Sequence, residues 1–258
     1  MRAIILAAGK GKRLDTISGA YPKCLLEVGG VSLIERQISA LKAIGVDAIT
    51  VVIGFGGEHV RERCGSGITY VENEIHAETN SLYSLWLTRD LLADGFVVLN
   101  ADVLFHTQML ADLLASEHED ALLISYQPRA TLGEEEMKVK VQDGYVVDIS
   151  KQMDPAEADG ENVGIVKFGP AGAALLVEKM NELVAAGNRK AWAPRAFGEF
   201  AAVRPLRAIS TSGHPWIEID FPEDYARAVE EIVPELRVSG EEVSDEFRET
   251  RAAAQVLP

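Results

Sequence analysis

The stretch Ile4–Leu26, IILAAGKGKRLDTISGAYPKCLL, decides how the rest of the chain is read. A short apolar run from Ile4 to Ala8 stops at Gly9. A loop follows that carries Gly11 together with Lys10, Lys12 and Arg13, and Pro22-Lys23 closes the segment before the next apolar patch. Small residues at Ala7, Ala8, Gly9 and Gly11 let a ligand approach the main chain, whose N–H groups then face phosphate oxygens. Lys10, Lys12, Arg13 and Lys23 gather four cations in a chain of formal charge −15. That local reversal of charge reads as a triphosphate loop; the alternative is a tight surface turn with solvated lysines.

Two familiar phosphate loops do not fit. A Walker A loop needs Gly-Lys followed by Ser or Thr, and here Gly11-Lys12 precedes Arg13. A dinucleotide fingerprint needs a third glycine where this chain has Leu14, so a nicotinamide-dependent enzyme is disfavoured. The composition, 47% hydrophobic and 25% charged over 258 residues, is that of an ordinary globular protein with room for a large core. The acidic balance argues against a nucleic-acid partner. Cys24 and Cys64, with no C-x-x-C, predict neither a disulfide framework nor a zinc site. No signal-peptide pattern is visible, and no apolar run approaches the roughly 18 to 20 residues of a membrane span. A cytoplasmic location is expected.

Downstream, apolar runs alternate with helical periodicity. Strands are predicted over 24–28, 48–53, 68–71, 96–99 and 121–126, and helices over 32–44, 58–64, 80–92 and 107–115. This predicts an α/β protein with a Rossmann-like, open, mixed but mostly parallel sheet flanked by helices. Gly9, Gly54 and Asp102 then fall at the carboxyl ends of strands, where such sheets bind ligands. From Met137 to Gly169 the pattern changes: MKVKV, a turn at Asp143-Gly144 and YVVDIS read as a hairpin, a small β-rich insertion on the acceptor side of a cleft. Residues 154–161 read as an acidic loop, 163–168 as a strand, 171–186 as a helix, 207–210 and 216–219 as strands, and 222–233 as a helix. One domain over 1–233 is expected, with a nucleotide-binding half at about 1–126 and an acceptor half at about 127–233. The tail, 234–258, carries an amphipathic stretch around Val243 and Phe247 that packs on the domain or on a second copy, which leaves a homodimer open.

Asp102 directly follows the apolar strand VVLNAD, where a carboxylate beside a triphosphate is placed for Mg²⁺; a turn or capping aspartate is the alternative. In Trp216-Ile217-Glu218-Ile219-Asp220, Glu218 and Asp220 leave the same face of a strand. Spacing alone favours Asp220 as the N-cap of the next helix, with Glu223 three residues on. Asn80 and Ser81 read equally as helix caps. Tyr83, Trp86, Trp192 and Trp216 supply enough aromatics for a cation–π cage, although aromatics taken singly belong more often to the core. The five histidines show no metal-binding spacing.

Leu6-Ala7-Ala8-Gly9, Gly11, Arg13, Leu14 and Pro22-Lys23 resemble the L-A-A-G-x-G-x-R-L and P-K signature of the nucleotidyltransferases that activate sugar phosphates and phospho-alcohols. The run Glu72-Asn73 to Trp86 is similar to an element of cytidylyltransferases acting on phosphocholine, related phospho-alcohols or phosphonates. The resemblance is strongest at residues 3–37, 70–103 and 145–168, with 218–225 added. It implies a Mg²⁺-dependent transfer of CMP from CTP to a small phosphorylated or phosphonate acceptor. Arg13, Lys23 and Lys151 would be catalytic, and Leu6, Ala7, Ala8, Gly9, Lys10, Gly11, Asn80, Ser81, Ser84 and Ala101 would line the nucleotide. Asp102 and Asp220 would hold the metal. Tyr83, Glu161, Trp192, Trp216 and Glu218 would face the acceptor, with Asn162 and Lys138 as further candidates. A sugar-1-phosphate nucleotidyltransferase is the rival enzyme reading, and a nucleotide-binding regulatory module the non-enzymatic one.

Overall fold

The computed structural model describes residues 1–126 and 132–238. Its centre is a nine-stranded mixed sheet. The strands are β1 (Arg2–Ala7), β4 (Ile49–Ile53), β5 (Thr69–Glu72), β6 (Phe96–Asn100), β8 (Ala121–Ser125), β9 (Lys138–Gln142), β10 (Tyr145–Ser150), β11 (Gly160–Phe168) and β12 (Arg207–Ser210). Two short antiparallel pairs stand outside it: β2 (Glu27–Val28) with β3 (Val31–Ser32), and β7 (Val103–Phe105) with β13 (Trp216–Glu218). The order is β5-β4-β1-β6-β11-β8-β12-β10-β9, and only β10 and β11 run against the other seven.

Alternation within β1 builds the layers. Ala3, Ile5 and Ala7 face one core, with α2 (Leu33–Ala43) and α5 (Thr107–Ala115) packed over it. Ile4 and Ala8 face the other, under α4 (Ser81–Leu87), α6 (Pro170–Ala185) and α7 (Pro194–Ala201). A strand buried on both faces needs this continuous apolar run. Helix α2 starts where Ser32 accepts from the Glu35 N–H while the Glu35 carboxylate returns to Ser32, a complete capping box. A third, smaller core joins Leu14 and Leu26 to Leu104, Ile217 and Ile219. Over it lie α8 (Pro222–Arg227), the wide turn Ala228–Ile232 and α9 (Val233–Val238), so residues 222–238 clamp the base of the first loop. The remaining helices, α1 (Asp15–Ser18) and α3 (Gly57–Cys64), are short.

Strand β11 joins the two parts of the sheet. Its second half pairs with β6, and Gly160 and Glu161 pair with β9. The register shifts between Asn162 and Val166 at Gly164, whose φ is 81°. A side chain there would also strike Asn100, 2.6 Å from its Nδ2. The bulge turns the strand where Gly164 meets Asn100, and both Asn100 and Asn162 line the cavity described below.

Local readings fail in five places. Residues 24–28 do not form one strand, because Leu25 and Leu26 donate back to Pro22 and Lys23 in a 3₁₀ turn, Lys23–Leu25. The helix over 80–92 breaks after Leu87, where the Thr88 hydroxyl bonds the Leu85 carbonyl at 2.7 Å. Glu161 sits in β11 rather than in a loop, and α7 and β7 had no periodicity long enough to announce them. Only 234–238 of the tail lies in the described residues, as α9; Val243 and Phe247 lie outside them. Both cysteines are free, and burial pushes the Cys64 thiol up to about 12. Among the described residues no helix is long and apolar enough to cross a membrane.

Phe168 is fully buried and packs on Phe96, Phe197 and Phe200 at ring separations of 5.4, 5.6 and 5.0 Å. Phe168→Ala should destabilise the fold by about 3–5 kcal/mol in chemical denaturation, since no neighbour can collapse into the gap without moving β11. A loss below about 1 kcal/mol would show that this core is loosely packed.

Candidate active site

The chain leaves β1 and turns at Gly9 to Gly11. Gly11 has a φ of 72°, and a Cβ there would lie 2.6 Å from the Cβ of Lys23. Glycine is therefore required twice, by the left-handed turn and by the close approach. The loop rests directly on Lys23, which the 3₁₀ turn after Pro22 holds nearly buried, 8% exposed.

Asp102 lies just beyond β6. The β7–β13 pair sets Glu218 opposite Val103, and the Ile219 N–H donates to the Asp102 carbonyl at 3.1 Å, so Asp220 arrives beside Asp102. The Lys23 ammonium donates to Asp102 Oδ2 at 2.8 Å and to Asp220 Oδ1. Arg13 adds a second cation, 3.5 Å from Asp220 Oδ2. Burial works to lower the Lys23 pKa, but the two carboxylates outweigh it and hold the ammonium above its ordinary range. For Asp220 burial pushes upward, and Lys23, Arg13 and Lys151 together bring the carboxyl below its usual value. For Glu218 burial, then Asp102 and Asp220, outweigh the pull of Lys23 and raise the carboxyl well above an ordinary glutamate.

Oxygens of Asp102, Glu218 and Asp220 lie within 4.8 Å of one another. Asp102 Oδ1 is buried with no hydrogen-bond partner, so an acceptor is left over after Lys23 is satisfied. A hard divalent cation takes such all-oxygen donors, and the set fits Mg²⁺.

These residues open onto a cavity of about 250 Å³ that Leu6, Ala8 and Gly9 also line. Asn80, Ser81 and Ser84 form another wall, and Lys151 and Trp192 stand together, the ammonium 5.2 Å from the ring centre. Glu135 accepts ion pairs from Arg13 at 3.1 Å and from Lys151 at 3.7 Å.

A sequence profile of the MobA-like NTP transferase domain matches residues 3–232. The chain belongs to that family. It is 30% identical over 243 residues, 92% of its length, to a bifunctional IPC transferase and DIPP synthase of Rubrobacter xylanophilus, of which the match covers 53%. It is 36% identical over 121 residues, 46% of its length, to the choline-phosphate cytidylyltransferase of Streptococcus pneumoniae, of which the match covers 52%. The chain thus spans about half the length of these curated relatives. The inositol-1-phosphate CTP transferase from T. maritima shares the fold at a TM-score of 0.76 and 24% identity, covering 92% of this chain and 96% of the other.

Within this MobA-like domain the expected site residues part company. Ala7 and Ala101 are buried in the core and do not line the cavity. Lys10 pairs with Asp15 at 3.0 Å and lies over Phe55. Asn80 caps α4 through the Ser81 N–H, and the Ser81 hydroxyl accepts from the Ala193 N–H at 2.8 Å. Asp220 does not cap α8, because Asp224 accepts from the Asp220 and Phe221 N–H groups and leaves the Asp220 carboxylate to Lys23. The aromatic cage does not form. Tyr83 stacks on Trp86, and the pair take Arg189 and Arg89 over their rings. Trp216 packs on the first core, which leaves Trp192 alone of the four on the cavity wall. Glu161 does not line the cavity either; burial and Glu136 push its carboxyl up to about 7. Lys138 is buried, donating to the Gly133 and Glu136 carbonyls.

Several residues were not nominated singly from the sequence. Asn73, His76 and Asn100 line the cavity, and no spacing marks them. Gln37 of α2 donates to the Asn100 carbonyl and to the Val103 carbonyl, both at 2.8 Å, and straps the turn that carries Asp102. Gln37→Leu strands two buried carbonyls and should lower stability by about 1–3 kcal/mol in chemical denaturation. An unchanged midpoint would mean the turn holds itself.

Proposed function

We propose that the chain is a divalent-cation-dependent cytidylyltransferase. It would transfer CMP from CTP to a small phosphorylated alcohol such as phosphocholine, or to a phosphonate, with release of pyrophosphate. The observation that carries this reading is the Lys23 ammonium held between Asp102 and Asp220 at the edge of the cavity, with Arg13 beside it and Lys151 on the cavity wall.

An acceptor phosphate has a second pKa of about 6, so one of its oxygens is already anionic near neutral pH. That oxygen attacks the α-phosphorus in line with the leaving group. The new P–O bond forms as the bond to the β-phosphate's bridging oxygen breaks, and pyrophosphate departs with the electron pair. No general base is needed, and the demand is for alignment of two polyanions and neutralisation of charge. The small residues at Ala8, Gly9 and Gly11 bring backbone N–H groups to the triphosphate, and Arg13 and Lys23 supply positive charge. Lys151 serves the acceptor or the transferred phosphoryl. A divalent cation held by Asp102 and Asp220 would add neutralisation of the phosphate oxygens.

The acceptor side supports a cationic head group. Trp192 offers an aromatic face, and the Glu218 carboxyl lines the same cavity. The choline-phosphate cytidylyltransferase among the relatives supports the same choice.

Pyrophosphate release should be measured for CTP, UTP, GTP and dTTP against phosphocholine, 2-aminoethylphosphonate, inositol phosphate and hexose 1-phosphates. CTP with a cationic phospho-acceptor should be the best pair. Lys23→Ala and Asp102→Ala should each lose about 10²- to 10³-fold in kcat while remaining folded by circular dichroism. Preference for a hexose 1-phosphate would move the chain to nucleotide-sugar synthesis. No release with any pair would leave only nucleotide binding.

A further inference from the structure

The segment 132–136, just ahead of β9, carries the Glu135 carboxylate onto two cations of the site. Glu135 Oε2 lies 3.1 Å from the Arg13 guanidinium and 3.7 Å from the Lys151 ammonium, so one oxygen serves both. Arg13 comes from the loop after β1 and Lys151 from the residue that follows β10. The main chain on either side of Glu135 is fixed. The Gly133 N–H donates to the Glu136 carboxylate at 2.7 Å, and Leu132 packs with Met153 and Ala158. Lys138, 1% exposed, gives its ammonium to the Gly133 and Glu136 carbonyls at 2.7 and 3.2 Å. Burying an ammonium is costly unless its donors are satisfied, and here they are spent on shaping this turn.

The Glu135 side chain itself is half exposed and can turn into solvent by rotation about its own bonds. Both cations have other supports. Arg13 lies over the Phe221 ring at 4.7 Å and beside Asp220, and Lys151 lies over the Trp192 ring at 5.2 Å. Each keeps its place when the carboxylate leaves. An anionic oxygen shared by an arginine and a lysine is also the environment that a phosphoryl oxygen takes. Two anions do not share that position, because like charges at contact distance repel.

We infer that Glu135 is an internal competitor of the phosphoryl groups: its carboxylate holds Arg13 and Lys151 until a phosphoryl oxygen displaces it into solvent. This autoinhibitory contact rests on the reading of Arg13 and Lys151 as phosphate-binding groups. It adds that the affinity for any phosphate ligand is set against a carboxylate already in its place.

Equilibrium binding tests this without turnover. Affinities of CTP and of inorganic pyrophosphate are measured by calorimetry at fixed Mg²⁺ and physiological salt, with folding checked by circular dichroism. Wild type is compared with Glu135→Gln and Glu134→Gln. Glu135→Gln should bind both ligands about three- to tenfold more tightly, the scale of two half-exposed ion pairs. Glu134→Gln removes the same charge from the exposed position one residue earlier, and should change either affinity by less than about twofold. A Glu135→Gln chain that binds no more tightly than wild type, or a Glu134→Gln chain that gains as much, overturns the inference while the phosphate site stands. Failure of wild type and both variants to bind either ligand overturns the inference and the phosphate site together.

Discussion

One ammonium holds three distant parts of this chain together. Lys23 follows the first loop, Asp102 ends a central strand and Asp220 precedes the last helices, yet all three meet in a cluster linked by hydrogen bonds. Remove the cation and two carboxylates, with Glu218 beside them, face one another in a partly buried wall, an arrangement that repulsion and desolvation oppose. The fold supplies what the contact needs. Gly11 lets the loop lie on Lys23, Gln37 straps the turn beneath Asp102, and the β7–β13 pair carries Asp220 across. The third core, closed by α8 and α9, fixes both ends of that arrangement.

The same cluster has the charges that the proposed triphosphate site needs. A chain with fifteen more acidic than basic residues concentrates Arg13, Lys23 and Lys151 in one place and then neutralises each with its own carboxylates. Glu135 bridges two of them across the cavity edge. On the proposed reading a triphosphate would compete for these cations with oxygens of its own, and Asp102 and Asp220 would hold a divalent cation that neutralises phosphate charge. Exchange of partners, rather than creation of charge, is the chemistry this geometry favours.

How far the sequence could be read depended on whether a residue's role is local. The loop from Gly9 to Lys23 was legible because small residues and cations at fixed spacing have few other uses, and the alternation of apolar runs with helical stripes carried the α/β fold. Asp102 and Asp220 were nominated by order and resemblance, but their meeting depends on β7, a three-residue strand with no periodicity to announce it. Asp220 looked like a helix cap until Asp224 proved to have that task. The aromatics looked like a cage, but packing decides where a ring goes, and Tyr83 and Trp86 had found each other and their arginines. Gln37 was invisible for the opposite reason, since an amide takes its meaning from the atoms that satisfy it.

The central claim is that Lys23 occupies the place of a metal ion between Asp102 and Asp220 when no nucleotide is bound. Mn²⁺ binding followed by electron paramagnetic resonance, without nucleotide, tests it on the wild-type chain and on Lys23→Met. Freed of the competing ammonium, the carboxylates of Lys23→Met should bind Mn²⁺ at least about tenfold more tightly than wild type, a difference of about 1.4 kcal/mol. Replacing Asp102 by Asn in the same background should abolish the gain. Equal or weaker Mn²⁺ affinity in a folded Lys23→Met chain would contradict the account.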